Sequence, residues 1–554
     1  MIGIFLVWLA FSPLQPVPVK PAVTQPEQFQ PQKEPLVGIA EKIHGLLRQK
    51  NPAVSTERAL FNIRLERFYA ARGFQPVWTK RAMVAELIHA VEESADDGLD
   101  PADYHIREIR TLYSKPTVTS EQASCYDLLL TDSFLTLATH LRYGKVNPET
   151  LDTHWNIGNT KSSTTFEYKL QQAIVNGQIA IVLKELRLQH PGYDQLKKGL
   201  ARYRTISREG GWPILAEGAK LQEGARARRV AVLRQRLKAS GDIAALHADT
   251  STVYSKELVD AVKRFQKRNG MESDGVLGTS TIRVMNIPVE RRMDEIRLNL
   301  ERYRWFLHDL EPTAILVNIA GFTLDYVENG HNRWSTRVIV GKPKRETPLF
   351  RADMQYIILN PQWVIPPTIL AKDALPALRK SSSYLGHKKL NVIDKNGAVV
   401  DPASVNWSQY SGTDFPYHLQ QSAGDHGALG RVKFLLPNRY IVYLHDTPDK
   451  GLFAASRRTF SSGCVRVQNP VALATLVLQD SVRWSREKIL AAIKTGKTRT
   501  VPLPKRIPVY LLYLTATAEG DELHFRDDVY NRDDKLLKAL DRPLPQFKME
   551  SCGF

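Results

Sequence analysis

Cysteine is scarce here: Cys125, Cys464 and Cys552 are the three in 554 residues. Three are too few for a disulfide framework, and an odd count points to one free thiol. The histidines at 387, 418, 426 and 445 lack metal-ligand spacing and no Cys-x-x-Cys is present, so neither metal nor cofactor is expected. Acidic residues are outnumbered, giving a formal charge of +18 and a pI near 9.6. That balance favours anionic surfaces. No RRM, zinc-finger or helix-turn-helix pattern accompanies it, so nucleic acid is not an expected partner. Long apolar runs are missing too. Ile2 to Phe11 has the length of a signal-peptide h-region, too short to span a bilayer comfortably, and no Lys or Arg precedes it. The Pro- and Gln-rich stretch from Ser12 to Pro35 reads as an extended tether. Export is therefore expected, with cleavage or anchoring of the segment left open.

At this length one hydrophobic core does not suffice, and three or four domains are expected. Residues 36–222 show helical periodicity, with Leu36, Ile39, Ala40, Ile43, Leu46 and Leu47 on one face and Ser55 as the cap of a second helix. Cys125 opens a strongly apolar helix, where packing is its expected role. Residues 223–290 carry two stripes, Val230/Leu233/Leu237 and Leu258/Ala261/Val262/Phe265, and a short third helix after Gly278. From Thr313 the period becomes two, as in Ile315, Val317 and Ile319, and a mostly β domain is expected over 291–500. Residues 367–425 break that pattern and read as an inserted lid with aromatic surface at Trp407, Tyr410, Phe415 and Tyr417. Residues 501–554 read as paired strands and a tail that packs back on the scaffold or the catalytic sheet. The overall fold class is multidomain α+β.

Within the β domain, Tyr440-Ile441-Val442-Tyr443-Leu444-His445 alternates as a strand, which places Ile441, Tyr443 and His445 on one face. Cys464, nineteen residues after His445, lies in Ser461-Ser462-Gly463-Cys464-Val465-Arg466, which sets a thiol in a glycine-tight turn. A thiol is mostly protonated at neutral pH, so a nearby imidazole raises its reactivity and later returns the proton to a leaving amine. Cys464 and His445 are therefore the expected nucleophile and base. Gly463 allows a sharp turn in which the Gly463 and Cys464 N–H groups point at an oxyanion. Arg466 faces the way Cys464 does, to hold a carboxylate or brace the loop. The Asp446 side chain or a backbone carbonyl fixes the imidazole tautomer. Ser485-Arg486-Glu487-Lys488 and Lys494-Thr495-Gly496 imitate two elements of serine acyltransferases but lie too close together to serve as them.

The motifs from His445 to Thr447 and from Ser461 to Val467 resemble the active-site signature of the L,D-transpeptidases of bacterial cell walls. Asn360-Pro361-Gln362-Trp363-Val364-Ile365-Pro366-Pro367 and Leu429-Gly430-Arg431 resemble further strands of that family. Ser462 stands where many members have histidine, which is similar to the large Gram-negative branch. Phe68–Arg72, Asp97–Leu99 and Arg142–Pro148 are similar to that branch's helical scaffold. The run from Ala261 to Gly278 looks like a three-helix peptidoglycan-binding domain. The resemblance implies a periplasmic cysteine acyltransferase that cleaves after residue 3 of a tetrapeptide stem and forms 3-3 crosslinks. Substrate contacts would come from Arg466, Tyr443, Ser462 and Trp363. Stem peptides and glycan are the implied partners, with other wall-synthesis enzymes and inner-membrane contact through the N-terminal segment as further ones. It also implies ping-pong kinetics and capture by carbapenems. Two alternatives stand beside it: hydrolysis or wall-protein attachment by the same site, and a non-catalytic murein-binding scaffold.

Overall fold

The computed structural model describes residues 36–48, 56–158, 165–243, 251–412 and 414–544. The N-terminal segment and tether, Ser55 and Cys552 lie outside the described residues. Among those described, no helix is long and apolar enough to cross a membrane.

The scaffold is built around the helix Ser120–Tyr143, which starts from a Thr119–Gln122 capping box and is buried along nearly its whole length. Leu128, Phe134, Leu135 and Leu141 meet Tyr69, Leu87, Val91 and Leu170 from surrounding helices in one core. A buried carboxylate, Asp127, accepts from Tyr69 Oη (2.6 Å) and from the Val77 and Trp78 N–H groups, which fixes the turn after Gly73. Cys125, expected to serve packing, is buried on this helix and is disulfide-bonded as well.

Helices Arg229–Ser240, Lys256–Arg268 and Thr279–Met285 form the small unit around Leu233, Leu237, Val262, Phe265 and Met285. The following helix, Val289–Phe306, corrects the boundary expected at 291. Val289, Ile296, Leu300, Tyr303 and Phe306 join the scaffold helix Pro191–Arg208 in a shared core. Its Arg304 is fully buried, pairs with Glu301 and donates to the Asp97 carbonyl at 2.8 Å. The helix is thus a joint between units rather than the opening of the β domain.

That domain contains the strands β1 (Ala314–Asn318), β2 (Thr323–Glu328), β3 (His331–Gly341), β4 (Phe350–Leu359), β5 (Trp363–Val364), β6 (Leu390–Ile393), β7 (Val399–Val400), β8 (His418–Gln421), β9 (Val432–Leu435), β10 (Leu444–His445), β11 (Thr459–Ser461), β12 (Val465–Val467) and β13 (Arg499–Leu512). The main sheet runs β11-β3-β12-β10-β9-β4-β13-β1-β2, and β2 also pairs with β3, so the sheet closes on itself. Val317, Leu324, Val338, Met354, Phe434, Leu444, Val465 and Val509 are buried within one core, joined by Leu473, Ala474 and Val477 of the helix Pro470–Leu478. The break expected at 500 falls inside β13, which lies between β4 and β1. Only beyond it does the chain leave the sheet, as the hairpin β14 (Ala516–Glu519) and β15 (Glu522–Phe525), whose Leu523 and Phe525 join the core shared by Val289–Phe306 and Pro191–Arg208.

The insertion is a folded subdomain. Strands β5-β8-β6-β7 make a second sheet, and Ile365, Leu375, Leu378, Val392 and Leu419 bury against one another under short helices. Because Trp363 pairs with Gln421, the subdomain starts at β5 rather than at 367.

Candidate active site

Only Leu444 and His445 of the expected strand 440–445 pair as one. Asn438 explains the difference. Its Oδ1 accepts from the Tyr440 and Val442 N–H groups, and its Nδ2 donates to the Leu436 and Val442 carbonyls. The chain is coiled around this one side chain, and Ile441 is left exposed at φ 57, a conformation costly for a β-branched residue.

From there β10 runs parallel to β12, with Leu444 beside Val465 and His445 beside Arg466. The Val465 N–H donates to the Tyr443 carbonyl, so Cys464 stands next to Tyr443. Tyr443, His445, Cys464 and Arg466 therefore share one face, while Leu444, Val465 and Val467 fill the core on the other. Cys464 and His445 are diagonal neighbours on adjacent strands and line the same cleft of about 1030 Å³ beneath the lid.

His445 is buried, and its Nδ1 lies 2.5 Å from the Asp446 backbone carbonyl. A carbonyl only accepts, so Nδ1 carries the hydrogen and Nε2 keeps its lone pair. The backbone, not the carboxylate, thus fixes the tautomer. The carboxylate of Asp446 is turned to the N–H groups of Arg431 (2.8 Å) and Thr447 (2.7 Å) and to Lys450. Gly430 makes room for it: a Cβ there would lie 2.5 Å from Asp446 Cγ, at φ +59. Burial, and then the charge of Arg466, push the His445 pKa down to about 3.

The thiol is half-buried, is free, and donates to the Ile441 carbonyl at 3.9 Å. Burial raises its pKa, opposed by hydrogen bonding from Tyr443 and by the charges of Lys433 and Arg466. Both shifts favour the neutral pair, a thiol beside a base, over a thiolate–imidazolium pair.

The oxyanion donors differ from expectation. The Gly463 N–H is engaged by Ser461 Oγ at 3.1 Å, and that hydroxyl donates to the Cys464 carbonyl at 2.6 Å. The Cys464 N–H, by contrast, has no hydrogen-bond partner among the described residues. One main-chain donor is thus available where two were expected.

Tyr443 is buried with its ring edge-on to His445, 5.6 Å between centroids, and its hydroxyl faces the thiol and Trp363. Trp363 reaches the cleft from the lid sheet. Ser462 Oγ accepts from Arg345, whose other bonds run to Asp373 of the lid. Arg466 pairs with Asp449 at 3.0 Å, while its buried Nε has no partner. Lys342, Lys344, Lys388 and Lys389 also line the cleft, and its two carboxylates, Asp373 and Asp449, are already paired with arginines. A substrate bearing carboxylates suits such walls. Asn438 and Arg345 carried no signal in the sequence, because their roles come from contacts that no local pattern encodes; Ser461 stood in the thiol motif, but its hydroxyl was given no role there.

Comparison with known proteins adds three domain matches. Residues 64–200 match the model of a scaffold domain, 226–285 a putative peptidoglycan-binding domain, and 312–499 an L,D-transpeptidase catalytic domain. A putative L,D-transpeptidase of Haemophilus influenzae is 32% identical over 292 residues, 52% of this chain and 58% of that protein. The chain thus spans little more than half the length of that relative. An L,D-transpeptidase crystal structure from Stackebrandtia nassauensis aligns at 15% identity with a TM-score of 0.21, over 54% of this chain and 96% of the other. That likeness is too slight to bear on the fold.

Proposed function

We propose that this chain, which carries an L,D-transpeptidase catalytic domain beside a scaffold and a peptidoglycan-binding domain, is a wall acyltransferase forming 3-3 crosslinks. One observation carries the reading: a free thiol and a buried, tautomer-fixed imidazole share a sheet face in a cationic, lidded cleft.

The donor is a tetrapeptide stem with a diamino acid at its third position. Cys464 Sγ attacks that residue's carbonyl carbon as its proton passes to His445 Nε2, and a sulfur–carbon bond forms. Charge moving onto the carbonyl oxygen meets the Cys464 N–H. Collapse breaks the carbon–nitrogen bond, and the terminal D-alanine amine leaves with the proton from His445. The side-chain amine of a second stem then attacks the thioester, returning a proton through His445 to the sulfur. The lid keeps water from competing with that amine. Carboxylates of the stem are held by Arg466 and the lysines of the cleft wall, with Trp363, Tyr443 and Ser462 around the reacting bond.

The disulfide at Cys125 supports an exported, periplasmic location, since thiols stay reduced in the cytosol. Glycan is the proposed ligand of the three-helix unit. Product analysis on purified stem peptides tests the reading. A covalent dimer linked between third residues is expected; a shortened stem alone would assign hydrolysis, and unchanged peptides would leave a binding protein.

A further inference from the structure

Position 530 is far along the chain from the signature motifs, yet its hydroxyl is wired to the thiol loop. Tyr530 Oη donates to the Gly341 carbonyl at 2.7 Å and accepts from the Thr347 N–H at 3.2 Å. Thr347 Oγ1 accepts from the Gly341 N–H at 2.9 Å and donates to the Gly463 carbonyl at 2.8 Å. Each hydroxyl gives one bond and takes one, so the relay is fully satisfied. Both residues are buried, and neither lines the cleft. Tyr530 is itself fixed, stacked on Tyr513 with its N–H on that residue's hydroxyl.

The Gly463 carbonyl belongs to the same peptide unit as the Cys464 N–H. A trans peptide is planar, and its C=O and N–H point in opposite directions. Gly463 sits at φ +121, a region open to glycine and sparsely populated by other residues, so its own preferences do not fix the tilt of that plane. The Thr347 hydroxyl does. By drawing the carbonyl toward the loop 342–349 it aims the N–H the other way.

We propose that Thr347 and Tyr530 are positioning residues that orient the Cys464 N–H as the oxyanion donor, making the segment after the catalytic sheet part of the machinery for acyl transfer. The inference rests on the function proposed above.

Attack on a carbonyl needs that donor, whereas displacement on iodoacetamide develops no oxyanion. The test measures both reactions in the full chain, with Thr347→Val and Tyr530→Phe. Expected is a fall of about 10- to 100-fold in kcat for a tetrapeptide donor, with KM little changed. Iodoacetamide alkylation of Cys464 should stay within about twofold of the parent, and Thr347→Ser should restore acyl transfer. A parallel fall in both reactions would mean a merely structural loop, and undiminished acyl transfer would mean no role; either overturns the proposal. Were Thr347→Val to misfold, Tyr530→Phe, which keeps the ring stack, gives the same readout. A parent protein that is alkylated but never acylated would instead sink the proposed function.

Discussion

Replacing His445 by glutamine is expected to slow acylation of Cys464 by about 10²- to 10⁴-fold, the usual worth of a positioned base. Glutamine fills similar space but accepts no proton. The loss should be large because burial raises the thiol pKa, which leaves less thiolate to attack unaided than a free thiol would hold. The pH dependence follows from the same pair. A free imidazole titrates at about 6.5, whereas burial and Arg466 hold His445 near 3. Single-turnover acylation should therefore stay level from about pH 8 to about pH 5. A half-maximal point near 6.5, assigned to His445 by its absence in the variant, would contradict this environment. Stability follows the same sign. As pH falls, the unfolded chain takes up this proton at about 6.5 and the native state only near 3, so stability present above 6.5 is lost progressively between the two.

Gly430→Ala is expected to cost about 2–4 kcal/mol and to impair acylation as well. The left-handed backbone contributes about 1–2 kcal/mol. The rest comes from a methyl group placed 2.5 Å from Asp446 Cγ. Asp446 has to move, and its backbone carbonyl is what holds the His445 ring. The denaturant midpoint and the acylation rate should fall together. Gly386→Ala, where nothing lies within 4 Å of the new carbon, should leave the midpoint nearly unmoved. An unshifted midpoint for Gly430→Ala would refute the role given to that contact.

The chemistry was largely legible in the sequence, the supports for it much less so. Cys464 and His445 stand out because a glycine turn and a strand end are local signals. The shift of the hydrophobic period from 3.6 to two near Thr313 was local too, and β1 starts at Ala314. What was missed is non-local. The first half of strand β13, from Arg499 to Pro508, was hidden by Pro502, Pro504 and Pro508, residues that normally argue against a central strand. Its proline-bearing half pairs only with β4, with a register shift between Pro502 and Ile507, and just the run from Val509 onward pairs on both sides. The run 440–445 alternates like a strand, yet the Asn438 side chain offers its backbone better partners than a neighbouring strand does. Gly463 was assigned a free N–H because nothing in the motif showed that the Ser461 hydroxyl two residues away turns back to claim it.

The most direct test is the covalent intermediate itself. Intact-mass measurement of the protein after brief exposure to a tetrapeptide donor, or to a carbapenem, should show a single acyl adduct that maps to Cys464 and is absent in Cys464→Ala. An adduct of equal yield in Cys464→Ala, or turnover of the donor by that variant, would contradict the account.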